Sequence, residues 1–398
     1  MISTKLYLKR GKEESLRRRH LWVFSGAVAR VVSEAPLREG DLVDVHTDEG
    51  AFIARGHYAG GSIAVRVLTF RDEPIDDTWW RNRLSAAFDL RRTLGLVGSD
   101  RTNCYRLVHG EGDSLSGLVI DVYGQTAILQ CHSVGMYRAR RQIAAALVEV
   151  SGGQIVAVYD KSSGTLPFKG GASPDDGYLI GTGEGAGEVV ENGLRFRVDW
   201  VSGQKTGFFL DQRENRALVG RYSAGRRVLN TFCYTGGFSV YAWAGGAEEV
   251  VSVDSSERAV RLADANMQFN FGEEVPHMAA AEDAFDFLNE MERDKYDLIV
   301  LDPPAFAKHQ RVVAQALQGY KKLNAKAIMK IRRGGILFTF SCSQAVSREQ
   351  FRLAVFSAAA IAGRNVRILH QLSQPADHPI NICHPESEYL KGLVLYVE

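Results

Sequence analysis

From about residue 225 onward, short continuous apolar runs alternate with longer helical patterns of apolar and polar positions. Arg227 to Asn230, Glu249 to Asp254, Tyr296 to Asp302 and Gly335 to Phe340 read as buried strands with helices between them. Such alternation predicts a parallel sheet covered by helices on both faces. The run from Tyr389 to Val397 reads as a final strand added to that sheet.

The pattern upstream is different. Residues 1 to about 75 alternate roughly, as in 42–46, 52–56 and 63–68, with Gly and Asp between the runs, and predict a small β-rich module. A helical pattern follows from Asp77 to Leu94, with Trp79, Trp80, Leu84, Phe88 and Leu90 as its apolar positions. Short strands are expected at Tyr105 to Val108, Gly117 to Val122 and Thr126 to Cys131, then a helix from Tyr137 to Val150 and a Gly-rich, hairpin-like stretch over 151–200. At 398 residues the chain exceeds one compact core. The expected organisation is α/β, with a β-rich domain at 1–75, a central α+β domain at 76–190 and a doubly wound domain at 191–398.

Composition is that of a folded globular protein, and a net charge of +1 gives no global sign of a polyanionic partner. Distribution changes that picture. The first twenty residues carry Lys5, Lys9, Arg10, Lys12, Arg17, Arg18 and Arg19 against only Glu13 and Glu14. Such a local basic patch suits phosphates, and Arg17, Arg18 and Arg19 are its candidate contacts. A solvated N-terminal face is the competing reading. The five cysteines are scattered and show no Cys-x-x-Cys spacing, which argues against a disulfide framework or a zinc site and for a reducing compartment. No apolar leader or membrane-length run is present, so a cytoplasmic protein without a membrane or metal partner is expected, with a homodimer left open.

Candidate chemistry begins at the end of the first predicted strand, Asn230-Thr231-Phe232-Cys233-Tyr234-Thr235-Gly236-Gly237. This turn lacks the Gly-x-Gly-x-x-Gly that lets a pyrophosphate approach the backbone, and the chain has no Walker lysine motif. A tight turn without a phosphate cradle suits a nucleoside-like ligand. Eighteen residues beyond Gly236, Asp254 ends the second strand, where a carboxylate can accept both hydroxyl protons of a ribose. Asp283 sits where a third strand would end, within reach of an adenine amino group. Asn230, Asp254 and Asp283 at successive strand ends favour S-adenosylmethionine over NAD, although each acid alone reads more often as a helix N-cap. Their neighbours Phe232, Ser255 and Ala284 are candidate cofactor contacts with them.

Asp302-Pro303-Pro304 follows the apolar strand Leu298-Ile299-Val300-Leu301. Two prolines fix φ and remove two N–H donors, giving a rigid loop that can hold a flat base, with Asp302 at its ring edge and Phe306 available for stacking. By itself the motif suggests amino-nitrogen methylation. Cys342, in Phe340-Ser341-Cys342-Ser343, points elsewhere. Carbon 5 of a cytosine becomes nucleophilic only after a thiolate adds to carbon 6, which requires a cysteine together with an acid on the N3 edge. Asp377 and His378 are further candidates for orienting the base or moving a proton, with loop capping as the alternative.

Taken together, the motifs resemble the ribosomal RNA large subunit methyltransferase I family over nearly the whole chain. The resemblance rests on Arg18-Arg19-His20-Leu21-Trp22-Val23-Phe24-Ser25-Gly26, Tyr105-Arg106-Leu107-Val108, Lys205-Thr206-Gly207-Phe208-Phe209-Leu210-Asp211-Gln212-Arg213, Tyr234-Thr235-Gly236-Gly237-Phe238, Asp302-Pro303-Pro304, Ser341-Cys342-Ser343 and Ala376-Asp377-His378-Pro379. It implies an N-terminal PUA domain, a central domain and a C-terminal Rossmann-like class I methyltransferase domain. It also implies S-adenosylmethionine as cofactor, large-subunit ribosomal RNA as partner, cytosine carbon 5 as target and Cys342 as nucleophile. The Lys205 to Arg213 segment is implied in the cofactor pocket, so Phe209, Asp211 and Arg213 join the candidates, Arg213 to pair with the methionine carboxylate and Phe208 or Phe209 to cover the ligand. The chain departs from the family at Lys161 to Thr165 and at Ala305. RNA guanine or amino-nitrogen methylation, and a non-catalytic RNA-binding factor, are the alternative readings.

Overall fold

A computed structural model describes residues 4–167, 175–307 and 309–398, so part of the predicted 151–200 hairpin stretch lies outside the described residues. The chain divides into two compact units. The first comprises Met1–Val189, Val198–Phe208 and Ala376–Ser387; the second comprises Val190–Arg197, Phe209–Pro375 and Glu388–Glu398. The Ala376–Ser387 segment, expected within the C-terminal domain, therefore packs with the first unit.

Two sheets build the first unit. Six strands, in the order Trp22–Phe24, Ile63–Thr69, Phe52–Tyr58, Leu42–His46, Lys5–Leu8 and Val28–Val32, enclose a core of Leu6, Leu8, Val43, Val45, Val65 and Val67. The second sheet has five strands, ordered Gly177–Ile180, Ala157–Asp160, Thr126–Cys131, Leu118–Tyr123 and Cys104–His109. Helices Asp77–Thr93 and Val134–Val150 contribute Trp80, Leu84, Phe88, Ile143 and Leu147 to its core. Asp76 and Ser133 start these helices by accepting hydrogen bonds from the backbone N–H of Trp79 and Met136.

The second unit is a doubly wound α/β sheet. Its strands are β1 (Arg227–Thr231), β2 (Glu249–Asp254), β3 (His277–Ala281), β4 (Leu298–Leu301), β5 (Gly335–Ser341), β6 (Val366–Ser373) and β7 (Lys391–Val397). Its helices are α1 (Arg213–Tyr222), α2 (Gly237–Ala244), α3 (Glu257–Phe271), α4 (Ala284–Glu290), α5 (Val313–Lys330) and α6 (Arg348–Ala362). The sheet order is β3-β2-β1-β4-β5-β7-β6, parallel except for β7, which runs antiparallel to β5 and to β6. This is the parallel sheet expected from the apolar runs, in the Rossmann-like arrangement that the resemblance implied.

Those runs are continuous because successive strand residues face opposite cores. Leu229, Val251, Val253, Ile299 and Leu301 pack with Leu323, Ile328 and Phe351 on one face. Val228, Val250, Leu298, Val300 and Phe338 pack with Val219, Phe238 and Ala242 on the other. Each such buried side chain stabilises the fold by roughly 1.5–3 kcal/mol. Strand β6, an edge strand with much of its surface exposed, was not signalled by the apolar pattern. In-register pairing of Asn230 with Ser252 and Val300, of Leu301 with Thr339, and of Ser341 with Lys391 brings Phe232, Asp254, Asp302 and Cys342 to one edge of the sheet. Ligands of open parallel sheets bind at that edge.

Candidate active site

Strand β1 ends in a turn held in an uncommon conformation. Phe232 and Tyr234 have φ of 55° and 47°, and Gly236 has φ of 76°. A Cβ on Gly236 would lie 2.8 Å from that of Ala263, so this position needs glycine both for its backbone and for the close approach of α3. Positive φ at two bulky residues stores strain of the kind found at ligand sites. Asp254 fixes the turn. Its Oδ2 accepts from the Tyr234 N–H and its Oδ1 from the Ser256 N–H, each at 3.0 Å, while the residue stays half-buried. Each carboxylate oxygen retains a lone pair, the arrangement a ribose diol requires. Phe209, just before α1, sets its ring edge-on to that of Tyr234 at 5.1 Å.

The remaining candidates are placed differently. Asn230 is fully buried and donates through Nδ2 to Ser239 Oγ at 2.9 Å, tying β1 to α2. Asp283 is the N-cap of α4, its Oδ1 accepting from the N–H of Phe285 and Asp286 at 2.8 and 3.2 Å. Ala284 is buried behind it and Ser255 is exposed. Arg213 is buried, with Glu214 Oε1 3.5 Å from its Nε. Phe208 is buried in the first unit, its carbonyl accepting from the Tyr123 hydroxyl at 3.3 Å. Of the two phenylalanines, only Phe209 belongs to the unit that carries Asp254.

At the neighbouring strand ends the Asp302 loop and Cys342 meet. The Cys342 thiol, half-buried, donates weakly to the Pro303 carbonyl at 3.9 Å. Gln212 Nε2 donates to Asp302 Oδ1 at 3.0 Å. Burial, and secondarily the charge of Asp211, push the Asp302 carboxyl up to about 7. Asp211 Oδ2 in turn accepts from the Tyr389 hydroxyl at 2.6 Å. Phe306 packs its ring on Tyr320 at 4.6 Å and near Phe285 at 6.4 Å, which anchors the loop.

A buried polar cradle surrounds Cys342, and sequence reasoning missed it. Tyr320 and the hydroxyls of Ser341 and Ser343 form a chain at 2.9 and 2.8 Å, and the Ala307 N–H donates to Ser343 Oγ at 3.2 Å. Lys391 Nζ donates to the carbonyls of Ser343 and Val346, both at 2.6 Å. Burial pushes this lysine down to about 8, while the nearby Cys342 opposes the shift. The two serines flanking Cys342 were visible in the motif. Lys391 had no signal, because only antiparallel pairing brings it opposite Ser341.

Two other groups lie in the first unit. Arg17, Arg18 and Arg19 are exposed at the end of a short helix, with Arg19 at φ 67° and its guanidinium 4.9 Å from the Phe70 ring centre. Asp377 and His378 are fully buried in that unit, and Asp377 Oδ2 accepts from the Arg106 N–H at 3.0 Å. Among the described residues no helix is long and apolar enough to cross a membrane.

A strained turn without a phosphate cradle, a ribose-competent acid and a strand-end loop bearing a raised carboxyl define a nucleoside-cofactor transferase site. The family model for S-adenosylmethionine-dependent methyltransferases matches residues 169–384, and that for PUA-like domains matches residues 6–70. Ribosomal RNA large subunit methyltransferase I from Tolumonas auensis is 40% identical over 99% of both chains, and that from Aeromonas hydrophila is likewise 40% identical over 99% of both. A solved structure titled as a putative S-adenosylmethionine-dependent methyltransferase from Streptococcus mutans is similar with a TM-score of 0.83, 24% identity and full coverage of both chains. A putative methyltransferase complexed with SAH is similar with a TM-score of 0.85, again at 24% identity and full coverage. The fold and site are thus those of an S-adenosylmethionine-dependent methyltransferase with a PUA-like N-terminal domain. Within that class, the chain belongs to the ribosomal RNA large subunit methyltransferase I family.

Proposed function

We propose that this chain methylates carbon 5 of a cytosine in large-subunit (23S) ribosomal RNA, in the cytoplasm, through a covalent adduct of Cys342. The observation that carries the reading is the Cys342 thiol lying against the loop that presents Asp302, at the sheet edge that also carries Asp254. In this reading Asp254 and Phe209 hold the ribose and adenosine portions of the cofactor, with Asp211, Arg213, Asn230, Phe232, Gly236, Ser255, Asp283, Ala284 and Asp302 completing or supporting its pocket. The cofactor supplies a sulfonium-bound methyl group as the electrophile. The Cys342 thiolate adds to carbon 6, forming a C–S bond, and Asp302, protonated near neutrality, gives its proton to N3. Electron density released by that addition makes carbon 5 the nucleophile. After methylation, a base takes the carbon-5 proton, the N3 proton returns to Asp302, and cleavage of the C–S bond restores the ring and the thiolate. Domain borders near residues 75 and 190 and an RNA footprint at Arg17 to Arg19 belong to the same reading.

The direct test incubates the purified chain with large-subunit RNA and S-adenosylmethionine and identifies the modified nucleoside by mass spectrometry. The expected product is 5-methylcytidine. Methylation of a guanine or of an exocyclic amine instead would overturn the carbon-5 assignment.

Reversing charge at Arg17, Arg18 and Arg19 together is expected to weaken RNA binding and to lower the slope of log affinity against log salt by about two. Cofactor affinity is expected to stay unchanged. Titrations at several salt concentrations check this, and an unaltered slope would place the RNA footprint elsewhere.

A further inference from the structure

Far from Cys342 in sequence, and within the first unit alone, three potential metal ligands converge. Among the described residues, His20, His384 and Glu386 form a group whose ligand atoms all lie within 4.8 Å of one another. His20 Nε2 is 3.4 Å from Glu386 Oε2, and His384 Nε2 is 3.8 Å from the same oxygen. Two ligands on a tetrahedral first-row ion, each bonded at about 2.0–2.1 Å, stand roughly 3.4 Å apart. The first pair already has that spacing. The second is too long for a hydrogen bond yet short enough to be bridged, and the Glu386 side chain is 39% exposed.

His384 is the informative member. It is 0% exposed, yet neither ring nitrogen has a hydrogen-bond partner among the described residues. A buried polar atom left so is costly and calls for a specific cause, an ion being one of the few. Its ring is fixed between the rings of His20 and Trp22, with centres 4.5 and 4.4 Å away, and so cannot turn toward solvent. His20 Nδ1, the nitrogen turned away from Glu386, lies 3.2 Å from the Trp22 carbonyl and 3.3 Å from the Trp22 N–H, so the Trp22 backbone holds the ring with Nε2 toward Glu386.

We propose that His20, His384 and Glu386 bind one divalent transition-metal ion of the zinc class, with an outward position left for water. The donor set of two imidazoles and one carboxylate, with no sulfur, selects this class over calcium or magnesium. The ion would fasten Glu386 to His20, 366 positions away, directly after the Arg17–Arg19 turn. No spacing rule reads such a site from sequence, because its ligands come from opposite ends of the chain.

The test uses the chelator-treated full-length protein titrated with Co²⁺, followed by its visible absorption, and with Zn²⁺ by calorimetry. One equivalent with tetrahedral or five-coordinate nitrogen–oxygen ligation is expected, together with a rise in thermal midpoint on binding. Glu386→Gln on the surface should weaken binding by about tenfold or more, and His20→Asn with Glu386→Gln should abolish the one-equivalent binding while circular dichroism stays unchanged. His384 is left in place so that the packed ring cluster is preserved. Absence of stoichiometric binding would overturn the proposal, and the cluster would then be a stacked aromatic group closed by an ion pair. A sulfur-to-cobalt charge-transfer band, or binding equal in the double variant, would equally overturn it by placing the ion on a cysteine or elsewhere.

Discussion

Cys342→Ala is expected to lower methyl transfer by about four orders of magnitude while leaving S-adenosylmethionine affinity within about twofold. The size follows from the chemistry: without addition at carbon 6, carbon 5 of a cytosine has almost no nucleophilicity, so no other group substitutes for the thiol. The selectivity follows from the geometry, since the thiol faces the Pro303 carbonyl, whereas the turn that Asp254 fixes lies at the end of β1. Tritiated-methyl transfer measures the first quantity and calorimetry the second. RNA carrying 5-fluorocytosine adds a positive control, because fluorine cannot leave carbon 5 as a proton does and the adduct is trapped. Wild-type protein should give a slow-migrating protein–RNA band that Cys342→Ala lacks. Near-normal turnover by the variant would instead point to direct attack by a nitrogen lone pair.

Electrostatics separate Cys342 from the competing thiol. Burial, and secondarily the charge of Asp254, push the Cys233 thiol well up, so it stays protonated at neutral pH. Cys342 is half-buried and has Lys391 as an electrostatic neighbour, on the strand paired with its own.

What the sequence made legible tracks how local the determining interactions are. The strands of the second unit were readable because residues such as Val250 and Val251 face two different cores, leaving few polar positions in the run. The strand ends bearing Asp254, Asp302 and Cys342 followed directly, since a parallel sheet aligns them. Asp283 shows the limit: its type and position fit both an adenine contact and a helix N-cap, and only hydrogen-bond geometry shows that its Oδ1 caps α4. Lys391 and Tyr320 around Cys342 were illegible because long-range pairing and packing bring them there. The placement of Asp377 and His378 in the first unit was equally hidden, for a chain segment lying between β6 and β7 gives no local sign of leaving their unit.

Asp302→Asn is expected to impair activity and to raise stability, and the two effects have one cause. Burial and the Asp211 charge hold the Asp302 carboxyl at about 7, against an ordinary value of 3.8. Below pH 4 the folded and unfolded chains both carry the proton, so the group contributes nothing to pH dependence. As pH rises from about 4 to 7 the unfolded chain releases the proton while the folded chain retains it, so stability falls; above 7 the penalty is fully developed. Asparagine is uncharged in both states, and its amide oxygen can still accept from Gln212. The variant should therefore gain on the order of 3 kcal/mol at pH 8, a figure reduced for partial solvent access, and much less at pH 5. Loss of the proton given to N3 should cost about 10²- to 10⁴-fold in turnover. The wild-type rate should fall as pH rises through about 7, and the residual rate of the variant should lack that fall. Denaturant midpoints at pH 5 and 8, with a pH–rate profile for each protein, measure both arms. Equal stability at pH 8 would mean that Asp302 is ionised without penalty, and full activity would remove it from the proton transfer to N3.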